Sequence, residues 1–121
     1  MANVPRWRKN ACNFISHIAD EQFQRDNWFG KGKYISSPDE MYNEVFDDIL
    51  IEEFLVSPEV GLNDQQRAAG KRFVDAMNAF DKPMNSLTSE QIIDHTMWRE
   101  VRKAAKEFLD LLECEKYVDV R

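Results

Sequence analysis

Apolar side chains recur at three- and four-residue spacing along this chain, and this periodicity constrains the fold more than any other feature. Such spacing places apolar residues on one face of an α-helix. It predicts helices at about 5–25, from Pro38 to about Leu50, at about 64–80 and at about 96–114. Asn-Gly and Asp-Gly hairpin turns and sustained apolar–polar alternation are missing from the sequence. We therefore expect an all-α fold.

Local signals refine these boundaries. Ser37-Pro38-Asp39-Glu40 forms an S-x-x-E capping box with proline in the first turn, and Asn63 and Thr88 each precede a glutamine by three residues. The apolar phase changes after Leu50, which predicts a kink or a fresh short helix near 49–52. We expect Pro83 to end the third helix, and Gly70 inside it to mark close packing against a neighbour. Residues 26–34 are expected to form a loop held to the core by Trp28, Phe29 and Tyr34.

The length favours a single domain, residues 1–121, built as a compact bundle of four to five helices. Hydrophobic residues make up 43% of the chain, which is enough for one core. Neither an apolar signal-peptide core nor a run of about 20 apolar residues is present, so we expect a cytoplasmic protein. In that compartment Cys12 and Cys114 are expected to be free thiols rather than a disulfide.

Charge is distributed very unevenly. The formal net charge is −6, which argues against nucleic acid and anionic membranes as partners. Residues 34–66, here called the acidic segment, contain nine Asp and Glu residues and no Lys or Arg. Residues 67–121 contain ten basic and ten acidic residues, so their charges cancel. The negative charge is therefore concentrated in one stretch of the chain.

The acidic segment is the strongest functional signal in the sequence. On a helical wheel its central acids lie opposite the apolar face, and several form like-charge pairs four residues apart, which destabilise a helix. A surface of one sign attracts a basic partner and accelerates the encounter. We predict a protein-binding surface at Glu40, Glu44, Asp47, Asp48, Glu52 and Glu53.

The chain offers little for catalysis. His17 and His95 have no metal-ligand spacing, Cys12 lacks a nucleophile signature, and residues 30–33 lack the P-loop pattern. We predict no enzymatic activity, no catalytic residues, no metal and no cofactor. Two alternatives stay open: a helical adaptor or regulator that binds a host protein, and a Mg²⁺-dependent nucleotide hydrolase using Glu44 and Asp47.

Part of the chain resembles the helical immunity proteins of bacterial contact-dependent growth inhibition systems. The resemblance covers residues 18–55 best, and is carried by residues 18–23, residues 28–42, Phe46-Asp47-Asp48 and Glu52-Glu53-Phe54-Leu55. It implies a cytoplasmic protein that binds and neutralises the C-terminal toxin domain of a secreted effector, often a basic nuclease such as a tRNase. Acidic side chains would then cover the toxin surface that holds nucleic-acid phosphates. The six predicted binding residues come from the charge distribution and not from this resemblance.

Overall fold

The computed structural model describes residues 4–29 and 36–114, which are mostly helical and contain no strand. This confirms the all-α prediction. A π-helical turn, Glu44–Asp48, directly follows the α-helix Pro38–Asn43. The helices, in chain order, are α1 (Val4–Ala19), α2 (Glu21–Asn27), α3 (Pro38–Asn43), α4 (Ile51–Val56), α5 (Asp64–Met84), α6 (Ser89–Ile93) and α7 (Thr96–Leu112).

Helix α7 lies at the centre of the bundle, with α5 and α1 as its main neighbours. Its buried side chains follow helical spacing, so one continuous apolar stripe faces both neighbours. Met97 and Leu111 are only half-buried at its edge, and the fully buried stripe begins at Trp98. The buried residues of α7 are Trp98, Val101, Ala105, Phe108 and Leu112.

Trp98 connects α7 to three other elements. Its ring lies 5.6 Å from that of Trp28, 6.5 Å from that of Tyr42 and 6.2 Å from that of Phe80, measured between centroids. Its indole N–H donates to Oε1 of the fully buried Gln24 at 2.9 Å. One side chain therefore joins α2, α3, α5 and α7 by packing and by a buried hydrogen bond.

The helix predicted at 5–25 is divided at Asp20. The backbone of Asp20 is extended, and its carboxylate accepts the N–H of Phe23 as the N-cap of α2. The amide of Gln24 donates to the terminal carbonyls of His17 at 2.9 Å and Ile18 at 2.8 Å. The break is stable because Gln24 donates hydrogen bonds to backbone carbonyls that have no intrahelical partner at the end of α1.

The loop predicted at 26–34 is partly wrong. Asp26 and Asn27 belong to the last turn of α2, and the turn follows at Trp28 and Phe29. Trp28 is buried and Phe29 half-buried, in agreement with their predicted anchoring role. Residues 30–34, including Tyr34, lie outside the described part of the chain.

The break predicted near 49–52 is confirmed at Leu50. Its φ of 50° and ψ of 59° are left-handed, so the chain turns and α4 starts as a separate helix. Trp7 of α1 donates its indole N–H to the carbonyl of Ile49 at 2.6 Å, just before this turn. At the start of α3, the hydroxyl of Ser37 accepts the N–H of Glu40, which is one of the two bonds of the predicted capping box; the return bond from Ser37 N–H to the Glu40 carboxylate is not formed.

Helix α5 begins as predicted but ends later. Asn63 and Gln66 form the expected capping box, and a second one forms between Thr88 and Gln91 at α6. Pro83 does not end α5, which continues through it to Met84. A proline in the last turn removes one backbone donor and leaves the rest of the helix intact. After Met84 the backbone continues with hydrogen bonds between residues three apart, so the helix ends there.

Gly70 allows α4 and α7 to approach α5 closely, as its position in the sequence predicts. A Cβ atom there would lie 2.3 Å from Cδ2 of Leu55 and 3.0 Å from Cζ of Phe108. Both distances are shorter than van der Waals contact, so any larger side chain must displace a core neighbour.

The prediction of two free thiols is wrong. Cys12 and Cys114 form a disulfide, with their Cα atoms 5.7 Å apart although they are separated by 102 residues in sequence. They meet because α1 packs along α7 and Cys114 follows the end of α7. Sequence separation gave no sign of this contact, since it depends on tertiary packing. The disulfide fastens the end of α7 to the middle of α1.

We expect Cys12→Ala/Cys114→Ala to lower the free energy of unfolding by about 3–5 kcal/mol, because the bond closes a very long loop in the unfolded chain. Urea unfolding of wild-type protein with and without dithiothreitol provides the matched measurement. The reduced wild type and the double variant should agree. An unfolding midpoint that does not respond to dithiothreitol would contradict the prediction.

We expect Gln24→Leu to lower the free energy of unfolding by about 2–4 kcal/mol, because the buried Trp98 N–H and two carbonyls lose their partner. Gln22→Leu is the matched control: it removes an exposed hydrogen bond on the same helix and should change stability by less than about 0.5 kcal/mol. Equal effects of the two substitutions in urea unfolding would show that the buried network contributes nothing.

Candidate functional site

The six predicted binding residues lie on α3, the π-helical turn and α4. Five of them are exposed, and Glu44 is half-buried. Buried side chains attach α3 and the π-helical turn to the core, so the acids lie on the side of this segment that faces solvent. The buried residues that anchor them are Met41, Tyr42 and Val45.

Tyr42 fixes the position of α3 relative to α5. Its hydroxyl donates to the backbone carbonyl of Met77 at 2.7 Å, and its ring is buried against Trp98. Burial, together with the charge of Asp81, raises the pKa of Tyr42, so the hydroxyl keeps its proton and stays a donor. The acids of α3 are therefore carried on a firmly attached helix.

The π-helical turn was not predicted. Within it the N–H of Ile49 donates to the carbonyl of Glu44, five residues earlier, at 2.9 Å. Because a π-helix has more residues in each turn than an α-helix, a wheel drawn with α-helical spacing misplaces the residues after Glu44. π-helical turns are rare and are found often at functional sites.

Three of the acids influence one another and are here called the acidic cluster: Glu40, Glu44 and Asp48. Partial burial raises the pKa of Glu44, and the negative charges of Glu40 and Asp48 raise it further. The like-charge pairs expected from the sequence are therefore present. The folded protein carries a repulsive charge arrangement here, which does not stabilise the fold.

None of the six acids forms a salt bridge within the described residues. Several acids elsewhere do, which shows that basic side chains are available to this fold. Arg25 pairs with Glu21 and Asp94, and Lys71 pairs with Asp75 at 3.3 Å. The six carboxylates of the predicted site therefore have no basic partner in the described residues.

Glu52 and Glu53 are separated from the acidic cluster by the turn at Leu50 and belong to α4. Asp47 lies beside Asp48 on the π-helical turn. The structure thus divides the predicted site into a part on α3 with its turn and a part on α4.

Two exposed apolar residues of this segment were missed by the sequence analysis. Leu50 is 45% exposed and Val56 is 73% exposed, and they are the only large hydrophobic side chains so exposed in residues 4–29 and 36–114. The phase change after Leu50 was the one sequence signal that could have revealed them. Protein interfaces commonly combine an apolar centre with a polar rim, and both kinds of side chain are exposed here.

Metal-ligating groups are not gathered at this site. No set of three or more His, Cys, Asp or Glu side chains in the described residues is placed to hold a metal ion. Two acids of the neighbouring α5, Asp64 and Asp75, form ion pairs with Arg67 and Lys71.

The two histidines have structural contacts. His17 stacks on Phe23 with 4.1 Å between ring centroids, and burial lowers its pKa, an effect that Asp20 partly offsets. His95 accepts the N–H of Met97 as the N-cap of α7.

Comparison with known proteins places the chain in a family. Residues 2–119 match the family described as Domain of unknown function (DUF7945). The chain belongs to this family. No curated protein and no solved structure matches the chain. In residues 4–29 and 36–114, no helix has the length and apolar character needed to span a membrane.

We expect Glu44→Gln to stabilise the fold at pH 7 by a few tenths of a kcal/mol for each like-charge pair removed. The raised pKa means that the folded state favours protonated Glu44. Its contribution to stability is thus present below about pH 4.5 and is lost as the pH rises through the raised pKa.

Urea unfolding at pH 7 and at about pH 3.5 tests this expectation. The gain from Glu44→Gln should be present at pH 7 and disappear at the lower pH. Glu107→Gln, at an exposed position of α7, is the control and should show no comparable gain. A loss of stability in Glu44→Gln at pH 7 would contradict the prediction.

Proposed function

We propose that this protein is an inhibitory binding protein whose acidic surface covers the nucleic-acid site of a basic nuclease toxin. The observation that carries the proposal is the set of six carboxylates between Glu40 and Glu53 that have no basic partner in the described residues. Repulsion within the acidic cluster makes these residues costly for the fold. A basic partner would relieve that cost.

The mechanism follows from electrostatics. A nuclease binds phosphates with arginine and lysine side chains, and carboxylates can occupy the same positions. The surrounding charge, nine acids and no base over residues 34–66, would attract the partner from a distance and accelerate association. Association should therefore be fast and sensitive to salt.

The resemblance to contact-dependent growth inhibition immunity proteins supplies the class of partner. It supports a toxin domain at the C-terminus of a large secreted effector, neutralised in the cytoplasm by active-site occlusion. Cytosolic reductants normally keep cysteine thiols reduced. The proposal therefore requires that the protein still bind its toxin when Cys12 and Cys114 are reduced.

The first experiment is co-expression with the C-terminal fragment of a large secreted effector encoded immediately upstream. Growth rescue, together with a complex that co-purifies in reducing buffer and weakens at high salt, is the expected result. No rescue and no complex would overturn the proposal, and a pull-down that returns a non-toxin host protein would favour an adaptor.

Reversing the charge of three of the six predicted binding residues tests the surface itself. We expect Glu44→Lys/Asp47→Lys/Asp48→Lys to weaken the complex at least a hundredfold, since close interfacial charge pairs can each couple by about 1.5–7 kcal/mol. Binding is measured by titration calorimetry, and circular dichroism verifies the fold.

A charge-matched control separates position from total charge. Glu90→Lys/Glu100→Lys/Glu107→Lys changes the net charge equally at exposed positions of α6 and α7. It should slow association only slightly. If both triple variants lose affinity equally, the acidic surface is not the binding site.

A further inference from the structure

The last turn of α7 is attached to the core more weakly than the rest of the helix. Leu112 is buried, and the carbonyl of Leu111 accepts the side-chain amide of Gln66 at 2.8 Å. One turn earlier the attachment is firmer, because Phe108 is fully buried and its ring lies 6.3 Å from that of Phe73, measured between centroids. The residues after Phe108 are therefore the part of α7 that can open without unfolding the core.

The sequence of this end does not stabilise it. The last turn contains Asp110 and no basic residue, whereas the last turn of α5 contains Lys82. An acid near the C-terminal end of a helix is repelled by the partial negative charge of the helix dipole. Glu113, directly after the helix, has a left-handed backbone with a φ of 54°, a position that glycine usually occupies. Something else must hold the end of α7 in place.

The disulfide supplies this attachment. Cys114 follows the end of α7 by two residues and is bonded to Cys12 in the middle of α1. The bond therefore holds the last turn of α7 against α1. These two residues are the only cysteines of the chain, so no other thiol of the protein can replace either of them after reduction.

The two cysteines differ in accessibility. Cys12 is 2% exposed and lies within a helix, between the fully buried Ala11 and Ile15. Cys114 is half-buried and lies after the last helical turn. Because thiol–disulfide exchange requires a thiolate to reach one of the two sulfur atoms, Cys114 is the one that an external thiol attacks.

We propose that the Cys12–Cys114 disulfide is a redox-sensitive latch on the end of α7. Reduction by a thiol such as glutathione begins at Cys114 and lets the last turn of α7 open, while the core up to Phe108 stays folded. In the open form Cys114 is a site of modification by small thiols, and Cys12 stays protected. The latch is independent of the proposed toxin binding, since the six acids lie on other elements.

The exchange proceeds in two steps. An external thiolate forms a bond to Sγ of Cys114, the Cys12–Cys114 bond breaks, and its electron pair leaves on Sγ of Cys12, which takes up a proton from solvent. A second external thiolate then bonds to the external sulfur of the mixed disulfide, and Cys114 leaves as a thiolate. The two external thiols are oxidised to their disulfide, and the protein disulfide gains the two electrons.

Amide hydrogen exchange of the full-length protein, measured by NMR with and without dithiothreitol, tests the opening. We expect the amides of Leu111 and Leu112 to exchange at least about tenfold faster in reduced protein. Their rates should not depend on low concentrations of urea, because a local opening exposes little surface. The amides of Val101 and Ala105 should stay dependent on urea. Equal urea dependence at both places, or loss of helical circular dichroism on reduction, would overturn the inference.

Two neutral substitutions in α7 provide a matched pair. Asp110→Gln removes the acid from the last turn and should slow the opening of the reduced protein about twofold to fivefold. Glu100→Gln makes the same change of charge at an exposed position away from this end, and should leave the exchange of Leu111 and Leu112 unchanged. Equal effects of the two substitutions would show that the last turn does not open separately.

Single-cysteine variants identify the modified residue. Cys12→Ala and Cys114→Ala both lack the disulfide, and each leaves one thiol to react with oxidised glutathione, followed by mass spectrometry. We expect Cys114 to be modified at least about tenfold faster than Cys12, at a rate that low urea does not change. Equal rates with equal urea dependence would mean that both thiols react only through global unfolding, and the latch would be rejected.

Discussion

The rest of the structure depends on the burial of Trp98. Its ring meets side chains from α2, α3 and α5, and its indole N–H is held by Gln24, which also pairs the open carbonyls at the end of α1. Tyr42 connects Trp98 to the acidic residues of α3. Its ring packs on Trp98, and its hydroxyl donates a hydrogen bond to the backbone of α5. The core therefore determines which side of α3 faces solvent.

Features that depend on neighbouring residues in sequence could be predicted, and features that depend on tertiary contacts could not. The caps at Ser37, Asn63 and Thr88 were correct because each bond joins residues three apart. The break at Asp20 was missed because it is stabilised by Gln24, whose own partner lies 74 residues away. The Cys12–Cys114 disulfide was missed for the same reason, since it exists only once α1 has packed on α7.

The candidate site shows the same division. Its acids and their mutual repulsion follow from the sequence, because charges four residues apart on a helix must be close. The π-helical turn and the exposure of Leu50 and Val56 could not be derived, since an apolar side chain is buried only if another element covers it. In the described residues nothing covers these two. Sequence reasoning therefore located the exposed acids of this segment and missed its exposed apolar side chains.

Most of the chain obeys local rules: helices are capped and apolar stripes are buried. Several exceptions lie between Glu40 and Val56, where like charges adjoin, a leucine is left-handed and a valine lies exposed. Glu113 is also left-handed, but it caps the C-terminal end of α7, where that conformation is common. Sequences are locally consistent where only folding is required, and conflicts concentrate where function imposes a second requirement. The basic partner that we propose would meet that second requirement, because its charges would relieve the repulsion among the acids of this segment.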